Sequence, residues 1–234
     1  LLDDRNNSWD LEDEKDQEIY GYIHNDLKVA CDWITRSCAG YGREVEFVWD
    51  WTEHEELICD LSTDISVEGN LEYYYDDLAR LIRQNVDADD IKSKNDANGI
   101  IYLACVDTPY SNQNTSSTFM SERSNPAEEE FCIMMMRTDG DIEPPSAFAH
   151  EMLHTFGAAD LYMSGMYGIT DELVRYFENS GSNDIMFRCE DKRTGEYYYD
   201  RITNEITEIT AYYSGLTDES ETVREWGLER SDYQ

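Results

Sequence analysis

The chain has 234 residues, room for one large domain or two small ones, and its 40% hydrophobic and 12% aromatic content argues for a buried core and against wholesale disorder. Fifty-two acidic residues against 18 basic ones leave a formal net charge of -34, which repels phosphate backbones and anionic membrane surfaces and disfavours nucleic-acid binding. No apolar run reaches the roughly eighteen residues of a helical membrane span, and the acidity reads first as a device for solubility or for tolerance of salt or acid, while favouring cationic partners.

Residues 1–18, LLDDRNNSWDLEDEKDQE, read as an acidic, flexible lead-in without the charged-then-apolar pattern of a signal peptide. Residues 19–234 read as one domain. Leu27, Ala30, Cys31 and Ile34 fall at helical spacing and predict a helix over about 26–38, ended near Gly40 and Gly42. EVEFVWDW, 44–51, alternates and is rich in aromatics, so it reads as a strand. Leu71, Tyr74, Tyr75, Leu78, Leu81 and Ile82 predict an amphipathic helix over about 70–84.

GIIYLACVD, 99–107, has the short apolar run of a buried strand. Residues 108–130 form a long polar connection, braced by a short strand at STFM, 117–120. FCIMMMR, 131–137, reads as another strand, with its methionines as core filler. Pro144, Pro145 and Ser146 open a helix that runs into HEMLHTFGAAD, 150–160. Beyond it come a short helix at 170–179, a hairpin around Gly195, and a helix over 203–213 with Ile206, Ile209 and Tyr213 on one face. Strand and helix followed by helix and loop specify an α+β domain, with an N-subdomain over about 19–157 and a C-subdomain over 158–234.

Six cysteines, at 31, 38, 59, 105, 132 and 189, form no CxxC pair. Their even number and wide scatter predict up to three disulfides in an oxidising compartment, with the pairing open; the competing reading is buried free thiols.

The chemistry gathers at residues 150–160. On a helix, His150 and His154 lie one turn apart on one face, where two imidazoles can bind one Zn²⁺. Glu151 projects beside them, the place of a general base that does not itself coordinate. Gly157 ends the helix and lets the chain turn, so that Asp160 swings back as a third ligand. Three protein ligands leave one position of a tetrahedron open, as in a catalytic site. Glu172 is the rival third ligand. Met163 and Met166 sit too close to the helix to fold back beneath it, and His24 and His54 are expected at the surface. No EF-hand loop occurs, so any calcium site would be irregular.

HExxHxxGxxD resembles the zinc-binding motif of metzincin-type metallopeptidases. More narrowly, it is similar to the variant of snapalysins and immune-inhibitor-A-type proteases in which aspartate replaces the third histidine. Asp184-Ile185-Met186 resembles their Met-turn. The resemblance implies a zincin-like fold: a small twisted sheet, an active-site helix and an irregular, helix-containing C-terminal subdomain. It further implies one catalytic zinc, Met186 as a hydrophobic floor, Phe187 lining the substrate pocket, and residues 115–121 as the edge strand that receives substrate. A secreted zinc endopeptidase acting on protein or peptide substrates is the function implied, with oligomeric state open. A metal-retaining binding protein without turnover, or a zinc amidase acting on a non-protein substrate, would share the motif; Glu151 favours an enzyme.

Overall fold

The structure, a computed structural model, describes residues 1–67, 75–120 and 130–230. It is an α+β arrangement. Strands β1 (Leu2–Asp3), β2 (Leu61–Ser62), β3 (Tyr102–Val106), β4 (Ser117–Phe119) and β5 (Phe131–Met135) form a mixed sheet in the order β2-β1-β3-β5-β4. All pairings are parallel except β4 on β5, so β4 is an antiparallel edge strand. A two-stranded ribbon of β6 (Arg137–Thr138) and β7 (Asp141–Ile142) follows β5.

β5 is buried throughout because both faces of the sheet are covered. Cys132 and Met134 join the main core with the long helix α1 (Glu14–Gly40) and α4 (Pro145–His154), which pack on one another. Phe131, Ile133 and Met135 face the opposite way, onto Leu78, Ala79 and Ile82 of α2 (Tyr75–Asn85). This period-two division is why the sequence reads as an unbroken apolar run. Helix α3 (Ala88–Lys94) leads to β3. After α4 the chain adds α5 (Asp171–Ser180), α6 (Glu208–Tyr213) and α7 (Glu221–Trp226).

The strands expected at 99–107, 117–120 and 131–137 and the helices expected at 144–154 and 170–179 form; the first strand begins three residues late, at Tyr102, and the other ends lie within two residues of those expected. Residues 70–74 of the expected 70–84 helix, and 121–129 of the polar connection, lie outside the described residues. Several expectations are corrected. The lead-in is part of the fold: Leu2 is buried in the sheet, Trp9 donates its indole N–H to the Cys105 carbonyl at 2.9 Å, and α1 starts at Glu14 rather than near 26. Two of its acids, Asp4 and Asp16, are buried acceptors, while Glu12, Glu14 and Glu18 stay exposed. Asp4 takes the amides of Asn7 at 2.7 Å and Val67 at 2.8 Å, and Asp16 lies 3.6 Å from the buried Arg137.

EVEFVWDW is not a strand. Val45, Phe47 and Trp49 turn inward in alternation with exposed Glu44, Glu46 and Val48, but the segment joins no sheet. Alternation encodes two faces, and here the apolar one rests on the main core without a ladder. The predicted 203–213 helix shrinks to α6, and the hairpin near Gly195 is a turn without paired strands. All six cysteines are free thiols, so the expected disulfides are absent. Cys31 and Cys38 sit two turns apart along α1, and Cys105 and Cys132 lie out of register on β3 and β5. No helix among the described residues is long and apolar enough to cross a membrane.

Candidate metal centre

Helix α4 has Pro145 at its first turn, where a missing N–H costs nothing, and every one of its ten residues is buried. His150, Glu151 and His154 project from its last turns, each at most 7% exposed. The helix ends at His154 and the turn after it reaches Gly157, whose φ of 91° lies where L side chains are strained, and whose amide bonds back to the His154 carbonyl at 2.7 Å. The reversed chain is pinned by the Leu161 amide on the Met186 carbonyl at 2.9 Å.

Asp160 is thereby returned to the histidines. Its Oδ1 lies 3.2 Å from His150 Nε2 and 3.3 Å from His154 Nε2, and the two Nε2 atoms are 3.2 Å apart. The other ring nitrogens face carbonyls: His150 Nδ1 meets Ile185 O at 2.9 Å and His154 Nδ1 meets Ala158 O at 2.8 Å. A carbonyl only accepts, so each Nδ1 carries the hydrogen and each Nε2 of a neutral ring offers a lone pair. Three electron-rich atoms thus converge at 3.2–3.3 Å, and two imidazole nitrogens with one carboxylate oxygen are a donor set that suits a metal ion. The edge of a tetrahedron with bonds of about 2.0–2.1 Å is about 3.3–3.4 Å, close to the spacing seen.

The field points the same way. Burial opposes charge on His150, but the Cys189 thiol, Asp160 and Glu151 outweigh it and push the imidazole well above its ordinary value. Burial works against the Asp160 carboxylate too, yet the two imidazoles hold it below the usual carboxylate range. Among the described residues, donor atoms of His150, Glu151 and His154 also fall within 4.8 Å of one another and could hold a metal ion. Asp160 is the better third donor. Its oxygen is closer to both rings, whereas Glu151 Oε2 already accepts the Thr118 hydroxyl of β4 at 2.7 Å. Glu172 is exposed on the first turn of α5, and Met163 and Met166 are 45% and 54% exposed, so none of these completes the site. His24 contacts Asp50 at 3.1 Å and His54 contacts Glu56 at 3.7 Å, both away from the pair.

Met186 is fully buried, in a turn held by Asp184. The Asp184 carboxylate accepts the Met186 amide at 2.8 Å, the Thr207 amide at 2.9 Å and the hydroxyls of Thr207 and Thr210. Burial raises its pKa while those donors pull it back. This turn supplies both the carbonyl that orients His150 and the one that fixes Leu161. Phe187 is half-buried, stacked on Phe177 of α5 at 5.7 Å with Arg188 over its ring.

Three neighbours escape the sequence reading. Thr118 ties the edge strand to Glu151, Cys189 lies beside His150, and Tyr162 stacks on the His150 ring at 6.2 Å with half its surface exposed. Tyr162 stands two residues after Asp160, on the chain that the Gly157 turn must bring back, and that proximity is the signal that could have found it. Thr118 and Cys189 carry no such signal. No family model matches the chain, and a search of curated proteins finds no match.

Proposed function

We propose that this chain is a zinc-dependent endopeptidase of the metzincin type, exported from the cell, which hydrolyses peptide bonds of protein or peptide substrates with Glu151 as general base. The observation that carries this reading is the triangle of two imidazole nitrogens and one carboxylate oxygen at 3.2–3.3 Å, with a second carboxylate beside it. Two nitrogens and an oxygen suit Zn²⁺, and two neutral rings with one carboxylate leave a net positive charge once it binds. Zinc held by His150, His154 and Asp160 would supply Lewis acidity and ease the deprotonation of water.

The chain's own residues do the rest. Glu151 takes the proton of the attacking water and returns it to the leaving amine. The Thr118 hydroxyl occupies Oε2 and so turns the remaining carboxylate oxygen toward that water. Among the described residues β4 is the edge strand of the sheet beside α4, and an extended substrate main chain would add to it by strand pairing. Sheet order, antiparallel edge strand and paired helices α1 and α4 support a zincin-like catalytic fold. Export follows from the resemblance to secreted metallopeptidases; the thiols are free, so no disulfide supports it.

Purified protein should contain one zinc per chain and hydrolyse casein. Glu151→Ala should keep the zinc and lose the activity. Absence of stoichiometric metal, or equal hydrolysis by both proteins, overturns the proposal.

A further inference from the structure

Between Asp160 and α5 the chain presents large apolar side chains that the fold leaves uncovered. Tyr162, Met163 and Met166 are 50%, 45% and 54% exposed. A single exposed apolar residue is ordinary, whereas a cluster on one short loop marks a surface that is covered in use.

The loop is held, not loose. The Gly165 amide bonds to the Ile169 carbonyl at 3.0 Å, and the Ile169 amide to the Met166 carbonyl at 2.9 Å. The Ser164 hydroxyl donates to Asp171, and the Tyr213 hydroxyl to the Tyr167 carbonyl. Tyr167 has a φ of 55°, which a tyrosine keeps only where its surroundings fix it.

Two anchors set where this loop lies. At its start the Tyr162 ring stacks on His150 at 6.2 Å. Near its end the Tyr167 hydroxyl meets the Met120 sulfur at 3.8 Å, one residue past β4. Residues 163–166 therefore run from the metal centre to the end of the edge strand. A peptide added to β4 is centred at Thr118, which holds Glu151. Antiparallel pairing is the more stable and the commoner kind. In it the residues that precede the cleaved bond lie toward Phe119 and Met120, and so reach this loop.

We propose that Met163 and Met166, with the Tyr162 ring, form a subsite for apolar side chains two and three residues before the cleaved bond, so that the substrates are peptides apolar on that side. This rests on the peptidase reading above. Unbranched thioethers adapt to partners of different shape, so leucine, phenylalanine and methionine are all accepted.

The test uses the zinc-loaded full chain and quenched fluorescent peptides of one scaffold. Leucine, phenylalanine, methionine, serine or aspartate stands at the second and third positions before the cleaved bond. The apolar peptides should exceed the serine peptide about tenfold in kcat/KM, or 1.4 kcal/mol. Met163→Ser/Met166→Ser changes only exposed side chains and should bring that ratio to within about twofold, while Met163→Leu/Met166→Leu should keep it. Hydrolysis without this preference, or a preference that survives the serine pair, overturns the subsite and leaves the peptidase reading standing. No hydrolysis of any peptide by the parent removes both. A dimer of the parent that the serine pair abolishes also overturns the subsite, because a second copy of this chain then covers the patch.

Discussion

In the proposed metal centre Asp160 brings the only formal negative charge among the three converging donors, so metal affinity should turn on it. Asp160→Asn keeps the shape and removes that charge. Zinc affinity, measured by competition with a chromogenic chelator, should weaken at least about 100-fold, while Glu172→Gln should leave it unchanged. Equal loss from both variants would transfer the third ligand to α5. A second residue acts on stability. Asp26 is fully buried on α1 with Oδ2 unpaired, and burial pushes its carboxyl from 3.8 up to about 8. The folded state therefore holds a proton that the unfolded chain releases above pH 4. The stabilisation linked to that proton is complete below about pH 4, declines as pH rises toward 8, and is constant above it. Asp26→Asn removes the titration. The variant should gain on the parent between pH 5 and 8, by roughly 1–3 kcal/mol at the upper end in denaturant unfolding. A pH-independent difference would sink this account.

At the scale of elements, the proposed metal centre joins α4 to a turn 30 residues away. Asp184 organises that turn, and the turn's Ile185 carbonyl holds the His150 ring. Asp184→Ala leaves the Thr207 and Thr210 hydroxyls and the Met186 amide without their acceptor. It should cost about 2–4 kcal/mol of unfolding free energy and about tenfold in zinc affinity. A stability loss with unchanged affinity would separate the turn from the centre. Thr118→Val tests the other side of α4: hydrolysis should slow about tenfold through kcat with zinc retained, since only the aim of Glu151 is lost. These couplings explain what the sequence could disclose. α4, its glycine stop and the returning aspartate are contiguous, so they can be read from spacing alone. β3, β4 and β5 declare themselves because burial on both faces, or on one, leaves its own apolar pattern. Nothing local tells EVEFVWDW whether a neighbouring strand exists, and its alternation is satisfied by the main core alone. Nor does composition reveal that Asp3, Asp4 and Asp16 are committed to amides and to Arg137, since a solvated acid and an acceptor are spelled alike. Thr118 and Cys189 reach the centre by tertiary folding, which leaves no mark in their surroundings.

Across the whole molecule, 52 acids face 18 bases, so most surface carboxylates have no cation to pair with. The ion pairs present are largely exposed, such as Lys28 with Asp32 at 2.6 Å and Lys94 with Asp90 at 2.6 Å, and such pairs contribute at most about 1 kcal/mol each. Salt weakens these attractions and the repulsion together, and the charge imbalance decides which loss dominates. At about 0.01 M ionic strength the Debye length is roughly 30 Å, so carboxylates repel across the whole domain; at about 0.15 M it is roughly 8 Å and only near neighbours interact. The folded state, which crowds the charges, gains more from screening than the expanded chain does. The melting temperature at pH 7.5 should therefore rise by several degrees between those two concentrations of sodium chloride. The rise should level off as screening becomes complete. Potassium chloride should act equally, because screening depends on ionic strength and not on the cation. A melting temperature that is flat or falls with salt would mean that specific ion pairs, rather than the net charge, govern the stability of this fold.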